Sequence, residues 1–177
     1  DLITVTASDI IVGDVSLINV TAPADVTRPV VVNVGGVDYA VNITGGIGHL
    51  NITGLDGGEY DVTARYLGDD KYVAANDTAS FKVSKVPSTV SVTAENITFG
   101  EKEVIQITVP ADATGNVTVT VDGKDYNVSV SEGKGILVVS GLKVDNYTVE
   151  VKYLGDRKYE ESNNATAFTV KKLTTRS

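Results

Sequence analysis

The pattern in this chain most often able to take part in chemistry is Asn-x-Ser/Thr, which begins at Asn19, Asn42, Asn51, Asn76, Asn96, Asn116, Asn127, Asn146 and Asn164. It is the acceptor signal for N-glycosylation. In a chain rich in Asn and Thr the same tripeptides also arise by accident on the polar faces of strands, so both readings stand at this point. Phase bears on exposure: Asn42 lies between Val41 and Ile43, Asn51 between Leu50 and Ile52, and Asn127 between Tyr126 and Val128. On strands all three face solvent. The densest carboxylate group, Gly68-Asp69-Asp70, offers oxygens of the kind calcium takes, but a hard cation wants about six or more of them. Its counterpart Gly155-Asp156-Arg157 replaces one acid with arginine. Asp69 and Asp156 are therefore expected to accept backbone N–H bonds within their turns and to keep Lys71 or Lys158 nearby.

Catalytic constellations are hard to draw. Cysteine is absent, and the single histidine, His49, is matched by Ile136 at the corresponding position of an internal repeat. Neither a Ser-His-Asp nor a Cys-His arrangement can be built, and His49 reads as a solvent-facing strand residue. Gly45-Gly46-Ile47-Gly48 has no helix after it to present an N-terminus to phosphate, so it reads as a hairpin turn. We expect no enzyme activity, no catalytic residues, no cofactor and no metal. The formal charge of −8 and the lack of basic runs beyond Lys171-Lys172 speak against nucleic acid as a partner. No window approaches about 18 consecutive apolar residues, so no membrane insertion is expected in this segment.

The elements that position these residues come in two copies. Tyr66-Leu67-Gly68-Asp69-Asp70-Lys71-Tyr72 returns as Tyr153-Leu154-Gly155-Asp156-Arg157-Lys158-Tyr159, a gapless repeat of about 87 residues in which about 35 paired positions are identical. The chain thus divides into one domain over residues 1–85 and a second over 86–177. Lys172-Leu173-Thr174-Thr175 falls in register with Lys85-Val86-Pro87-Ser88, so a further copy of the repeat is expected to follow in the parent chain. Without disulfides, each domain relies on apolar packing and sheet hydrogen bonds.

Val, Thr, Ile and Tyr alternate with polar residues at a period of two, broken by Gly, Asp or Asn at the spacing typical of a β-sandwich. The expected fold class is all-β: two tandem immunoglobulin-like sandwiches of about seven strands each. In the first copy the strands are expected at about 3–7, 15–22, 29–34, 37–44, 48–53, 58–67 and 77–84. Val30, Val32 and Val34, with Val117, Val119 and Val121, should point inward. Gly35-Gly36 and Asp122-Gly123 supply the positive φ of a two-residue hairpin. Tyr60, Val62, Ala64 and Tyr66 mark a central strand. The Leu55 to Tyr60 stretch, repeated from Leu142 to Tyr147, is similar to a tyrosine corner.

The run Gly58-x-Tyr60-x-Val62-x-x-x-Tyr66-x-Gly68-Asp69-x-x-Tyr72, preceded by Val34-x-Gly36-x-x-Tyr39 and followed by Phe81-x-Val83, resembles the bacterial-type Ig-like (Big) repeats. These occur in long adhesin-like surface proteins of bacteria and methanogenic archaea. The second copy departs from the run by placing Asp145 where Gly58 stands. The resemblance implies an extracellular, cell-surface location and a role as a stalk or spacer segment in cell adhesion. It implies further copies of the same repeat as neighbours. The alternative is that the modules themselves bind a host or microbial surface glycan or protein. Some surface Ig-like modules carry Lys-to-Asn isopeptide cross-links, but the best-placed lysines here, Lys82 and Lys152, read as outward-facing. The short connection Ser84-Lys85-Val86-Pro87-Ser88, stiffened by Pro87, leads us to expect modules set end to end with limited bending. It contains no acid, so no calcium is expected at the junction, although Asp9 and Asp14 with Asn96 and Glu101 lie near the module ends.

Overall fold

The computed structural model describes residues 1–174; Thr175, the last residue of the register noted above, lies outside them. Alternating apolar residues can bury one face only, and the chain satisfies this twice. It forms two compact units, Asp1–Lys85 and the stretch from Val86 onward, each with its own apolar core. Among the described residues there is no helix, and hence none long and apolar enough to cross a membrane.

Module 1 contains β1 (Thr4–Ala7), β2 (Ile10–Ile11), β3 (Ser16–Thr21), β4 (Val30–Val34), β5 (Val37–Val41), β6 (Ile47–Ile52), β7 (Gly58–Tyr66) and β8 (Ala75–Ser84). A three-stranded sheet in the order β1-β3-β6 packs on a five-stranded sheet in the order β2-β8-β7-β4-β5. Module 2 repeats the plan with β9 (Ser91–Ala94), β10 (Ile97–Thr98), β11 (Glu103–Thr108), β12 (Asn116–Val121), β13 (Lys124–Ser129), β14 (Lys134–Val139), β15 (Asp145–Tyr153) and β16 (Ser162–Lys171). The period-2 alternation accounts for the core directly. Val30, Val32 and Val34 on β4 and Val117, Val119 and Val121 on β12 are buried. On the long central strands, β7 buries Val62, Ala64 and Tyr66, and β15 buries Tyr147, Val149, Val151 and Tyr153.

The expected strands form, with boundaries shifted by one or two residues except at the strand expected over 37–44, which ends three residues early at Val41, and each module adds one more. The two-residue strands β2 and β10 pair in parallel with β8 and β16. They are too short to show alternation, and they exist because the first strand of each module leaves one sheet and crosses to the other. The β4–β5 hairpin turns on Gly35 (φ 57) and Gly36 (φ 91), and its partner turns on Asp122 (φ 54) and Gly123 (φ 72), as a type I′ turn requires. Gly45-Gly46 makes the tight turn expected of it, closed by Thr44 paired with Ile47.

Candidate functional site

The repeated carboxylates Asp69 and Asp156 each sit in the loop between the two longest strands of a module and bind that loop to the one entering β4 or β12. Asp69 Oδ1 accepts the amides of Lys71 (2.8 Å) and Tyr72 (2.7 Å), and Oδ2 accepts the amide (3.3 Å) and hydroxyl (3.4 Å) of Thr27 and the hydroxyl of Tyr66. Asp156 does the same with Lys158 (2.8 Å) and Tyr159 (2.7 Å), and holds the amide and hydroxyl of Thr114 more tightly, at 2.8 and 3.0 Å. A carboxylate accepting several N–H bonds is stabilised as the anion. At Asp69 the Tyr66 hydroxyl, followed by the Tyr72, Lys71 and Thr27 amides, holds the carboxyl well below the usual carboxylate range. At Asp156 burial works the other way but is outweighed by the amides of Thr114, Tyr159 and Lys158.

A second acid completes each clamp. Asp25 takes Lys71 Nζ at 2.6 Å and the Tyr72 hydroxyl at 2.6 Å. Asp112 takes Lys158 Nζ at 2.6 Å and the Tyr159 hydroxyl. The Lys71 ammonium and Tyr72 hydroxyl lower the pKa of Asp25, as Lys158 and Tyr159 do for Asp112. The lysines therefore stay near the turn as expected, although their partner is the neighbouring loop. Asp25 and Asp112 escaped the sequence reading. The signal was there: Thr21-x-Pro23-Ala24-Asp25-x-Thr27 recurs as Thr108-x-Pro110-Ala111-Asp112-x-Thr114.

The tyrosines divide by partner. Tyr60 and Tyr147 donate to the carbonyls of Asp56 (2.8 Å) and Lys143 (2.7 Å), the backward tie of a tyrosine corner, and stack on Phe81 and Phe168 at 5.3 and 5.2 Å. Tyr153 donates to the Thr114 carbonyl at 2.7 Å. Burial, followed by the nearby Asp156 charge, pushes its phenol up to about 12.

The remaining candidates do not converge. His49 is exposed on β6, where its Nδ1 lies 2.6 Å from Asn19 Oδ1 across the strand pair. The module-end acids are used within their own modules. Asp9 accepts the Lys82 amide (2.8 Å) as Asn96 accepts that of Thr169 (2.8 Å), and Asp14 and Glu101 accept the Ile11 and Thr98 amides. Among the described residues no three His, Cys, Asp or Glu side chains gather into a metal-binding group. Lys82 and Lys152 are exposed. Of the sequon asparagines, Asn42, Asn51, Asn76, Asn96, Asn127, Asn146 and Asn164 are exposed, and Asn19 and Asn116 are half-buried. Asn164 spends its side-chain amide on the Val90 carbonyl (3.0 Å), and Asn96 and Asn146 accept bonds from Thr169.

No family model matches the chain, and no curated protein matches it. Solved structures do. The titin domains Z1Z2, crystallised with telethonin, are 14% identical over 98% of both chains with a TM-score of 0.53. The fibronectin(III)-like modules of Clostridium thermocellum CbhA are 18% identical over 98% of both chains with a TM-score of 0.44. The Yersinia pseudotuberculosis adhesin InvE is 12% identical over 94% of this chain and 59% of that one, with a TM-score of 0.44. The sheet order, the tyrosine corners and the likeness to the titin pair together establish the fold: two tandem immunoglobulin-like β-sandwiches.

Proposed function

We propose that the chain is a spacer segment of an adhesin-like cell-surface protein, built from bacterial-type Ig-like repeats that carry a binding region away from the cell. The observation behind this reading is what the duplication keeps and what it lets drift. Both copies retain the Asp69/Asp156 clamp, the tyrosine corner and the Tyr–Phe stack, all of which act on the chain's own backbone or core. Solvent-facing positions change character between the copies: His49 becomes Ile136, Asn51 becomes Val138, and Asp70 becomes Arg157. A repeated binding site needs repeated surface chemistry, whereas a spacer needs only a repeated skeleton. On this reading the module is non-catalytic and extracellular, and its neighbours are further copies of itself. The exposed sequons Asn42, Asn51, Asn76 and Asn127 are the positions offered to N-linked sugar, which peptide mass spectrometry of native material would detect.

Surface display tests the spacer. Placed between a membrane anchor and a domain of known ligand, the chain should support ligand capture as well as an unrelated Ig-like pair of equal length does. Displayed without that domain, it should capture neither cells nor immobilised glycans, and capture by the chain alone would overturn the reading. A second reading, in which the modules bind a surface ligand themselves, is favoured by the outer face of the three-stranded sheet in module 2. There Val104, Ile136 and Val138 are exposed side by side, Ile136 by 64%. If capture by the chain alone occurs, I136H with V138D should abolish it.

A further inference from the structure

Glu103, the first residue of β11, is 1% exposed, and neither carboxylate oxygen has a hydrogen-bond partner. Among the described residues it is the only fully buried acid. The aligned residue of module 1, Ser16, is buried too, so both copies bury this position and only module 2 puts an ionisable group there. An isolated anion in such a place is costly, and the group relieves the cost by staying neutral or by gaining water.

The surroundings do not supply a counter-charge. Beside Glu103 lies a recess of about 260 Å³ lined by Ala94, Glu95 and Ile97, where β9 crosses to β10, and by the exposed Val104 and Gln106 of β11. From that crossover the facing charge is Glu95, another acid. From the turn before β11, Lys102 lines the same recess without bonding to the carboxylate, and the Glu101 carboxylate is taken up by the Thr98 amide and hydroxyl. β14 faces Glu103 with Val139, which carries no charge, and the Lys171 side chain on β16, beside β10, is exposed. Burial, with the Glu95 charge adding to it, pushes the Glu103 carboxyl up, and the Glu95 amide opposes this without reaching hydrogen-bond geometry. The crossover itself is lightly fastened. β10 has two residues, held by its bridge to Val170 and Lys171, by the Phe99 amide on the Lys171 carbonyl at 2.8 Å, and by Asn96 on the Thr169 amide.

We propose that Glu103 is a proton-operated latch on the β9–β10 crossover. As the neutral acid it lets the crossover close over the end of the module 2 core, and as the anion it draws water into the recess and loosens β10 from β16. The sign follows from linkage. For an acid that holds its proton more strongly when folded, stability is complete below the ordinary glutamate value of 4.5 and is lost as pH rises through the folded-state value. Module 1, with Ser16, has no counterpart of this dependence.

The fold provides an internal reference. The Val12 amide bonds to the Ser84 carbonyl at 2.9 Å in the position that Phe99 occupies in module 2. In the two-module chain, the hydrogen-exchange protection of Phe99 relative to Val12 should fall at least about fivefold between pH 4 and pH 8, and E103Q should leave the ratio independent of pH. A ratio that does not change in the native chain, or that changes equally in E103Q, overturns the latch. Should E103Q fail to fold, the carboxyl carbon of Glu103 in the native chain, followed by NMR, still decides: a midpoint well above 4.5 supports the proposal, and one at or below it overturns it.

Discussion

The loop ends and the crossover ends of the two modules have diverged to different degrees. At the loop end, Asp69 and Asp156 accept the same two turn amides at the same distances, and Asp25 and Asp112 hold the same lysine and tyrosine. At the crossover end, Ser16 and Glu103 share burial but not chemistry. A turn that must bring several backbone donors to one acceptor tolerates little substitution, because each donor left without a partner costs about 1–3 kcal/mol. The buried position that opens β3 and β11 has no such set of backbone donors to serve, and there an ionisable residue can enter and change how the module responds to pH.

Acid should produce the largest effect, because it acts on both clamps at once. Asp25, Asp69, Asp112 and Asp156 all have lowered pKa values when folded. Their contribution is therefore complete above the ordinary aspartate value of 3.8 and is lost as pH falls through the folded-state values. Urea midpoints of both modules should drop together below that pH. Toward neutral pH the comparison reverses, and only module 2 should weaken. A module 1 that weakens in parallel there would mean that Glu103 is not the cause.

Single clamp variants should separate the copies. D156A deprives four donors of their acceptor and should destabilise module 2 by about 3 kcal/mol. D69A should cost module 1 at least as much, because besides the Lys71, Tyr72 and Thr27 donors it takes the acceptor from the hydroxyl of buried Tyr66, whereas Tyr153 donates to the Thr114 carbonyl and keeps its partner in D156A. A smaller shift for D69A in chemical denaturation would show that its longer bonds to Thr27, at 3.3 and 3.4 Å, outweigh the tyrosine.

A smaller contrast lies where β6 and β14 begin. A Cβ on Gly48 would come within 2.6 Å of Val41 Cγ1 and 2.8 Å of the Asn42 carbonyl, whereas on Gly135 the nearest atoms are Val128 Cγ1 at 3.1 Å and the Ser129 carbonyl at 3.2 Å. G48A should therefore cost about 2 kcal/mol and G135A less than about 1 kcal/mol, the difference being one of overpacking. Melting temperatures of the two variants check the order.

Much of the fold was legible because alternation and duplication reinforce each other. Val30 and Val117 are recognisable as core both by their period and by their match, and the tyrosine corners follow from a leucine and a tyrosine at fixed spacing. Asp69 could be read as a turn acceptor because its duplicate lost the neighbouring acid. Asp25 could not be assigned from spacing, since its partner Lys71 is distant in sequence and only the folded chain brings the two loops together. Glu103 was invisible for the opposite reason. Strand periodicity places it on an inward position, but a charged residue beside Gly100, Glu101 and Lys102 looks like part of a solvated turn. β2 and β10 were missed because two residues are too few to show a period.

The central claim is that the carboxylates of Asp25, Asp69, Asp112 and Asp156, which both modules retain, serve the chain's own amides, hydroxyls and lysine ammonium groups rather than a metal ion. Thermal melts of the two-module chain in excess calcium and in chelator test this most directly. The account predicts curves that overlay. A rise of several degrees in calcium, the signature of an ion that binds the folded state, would contradict it and make Asp69 and Asp156 ligands.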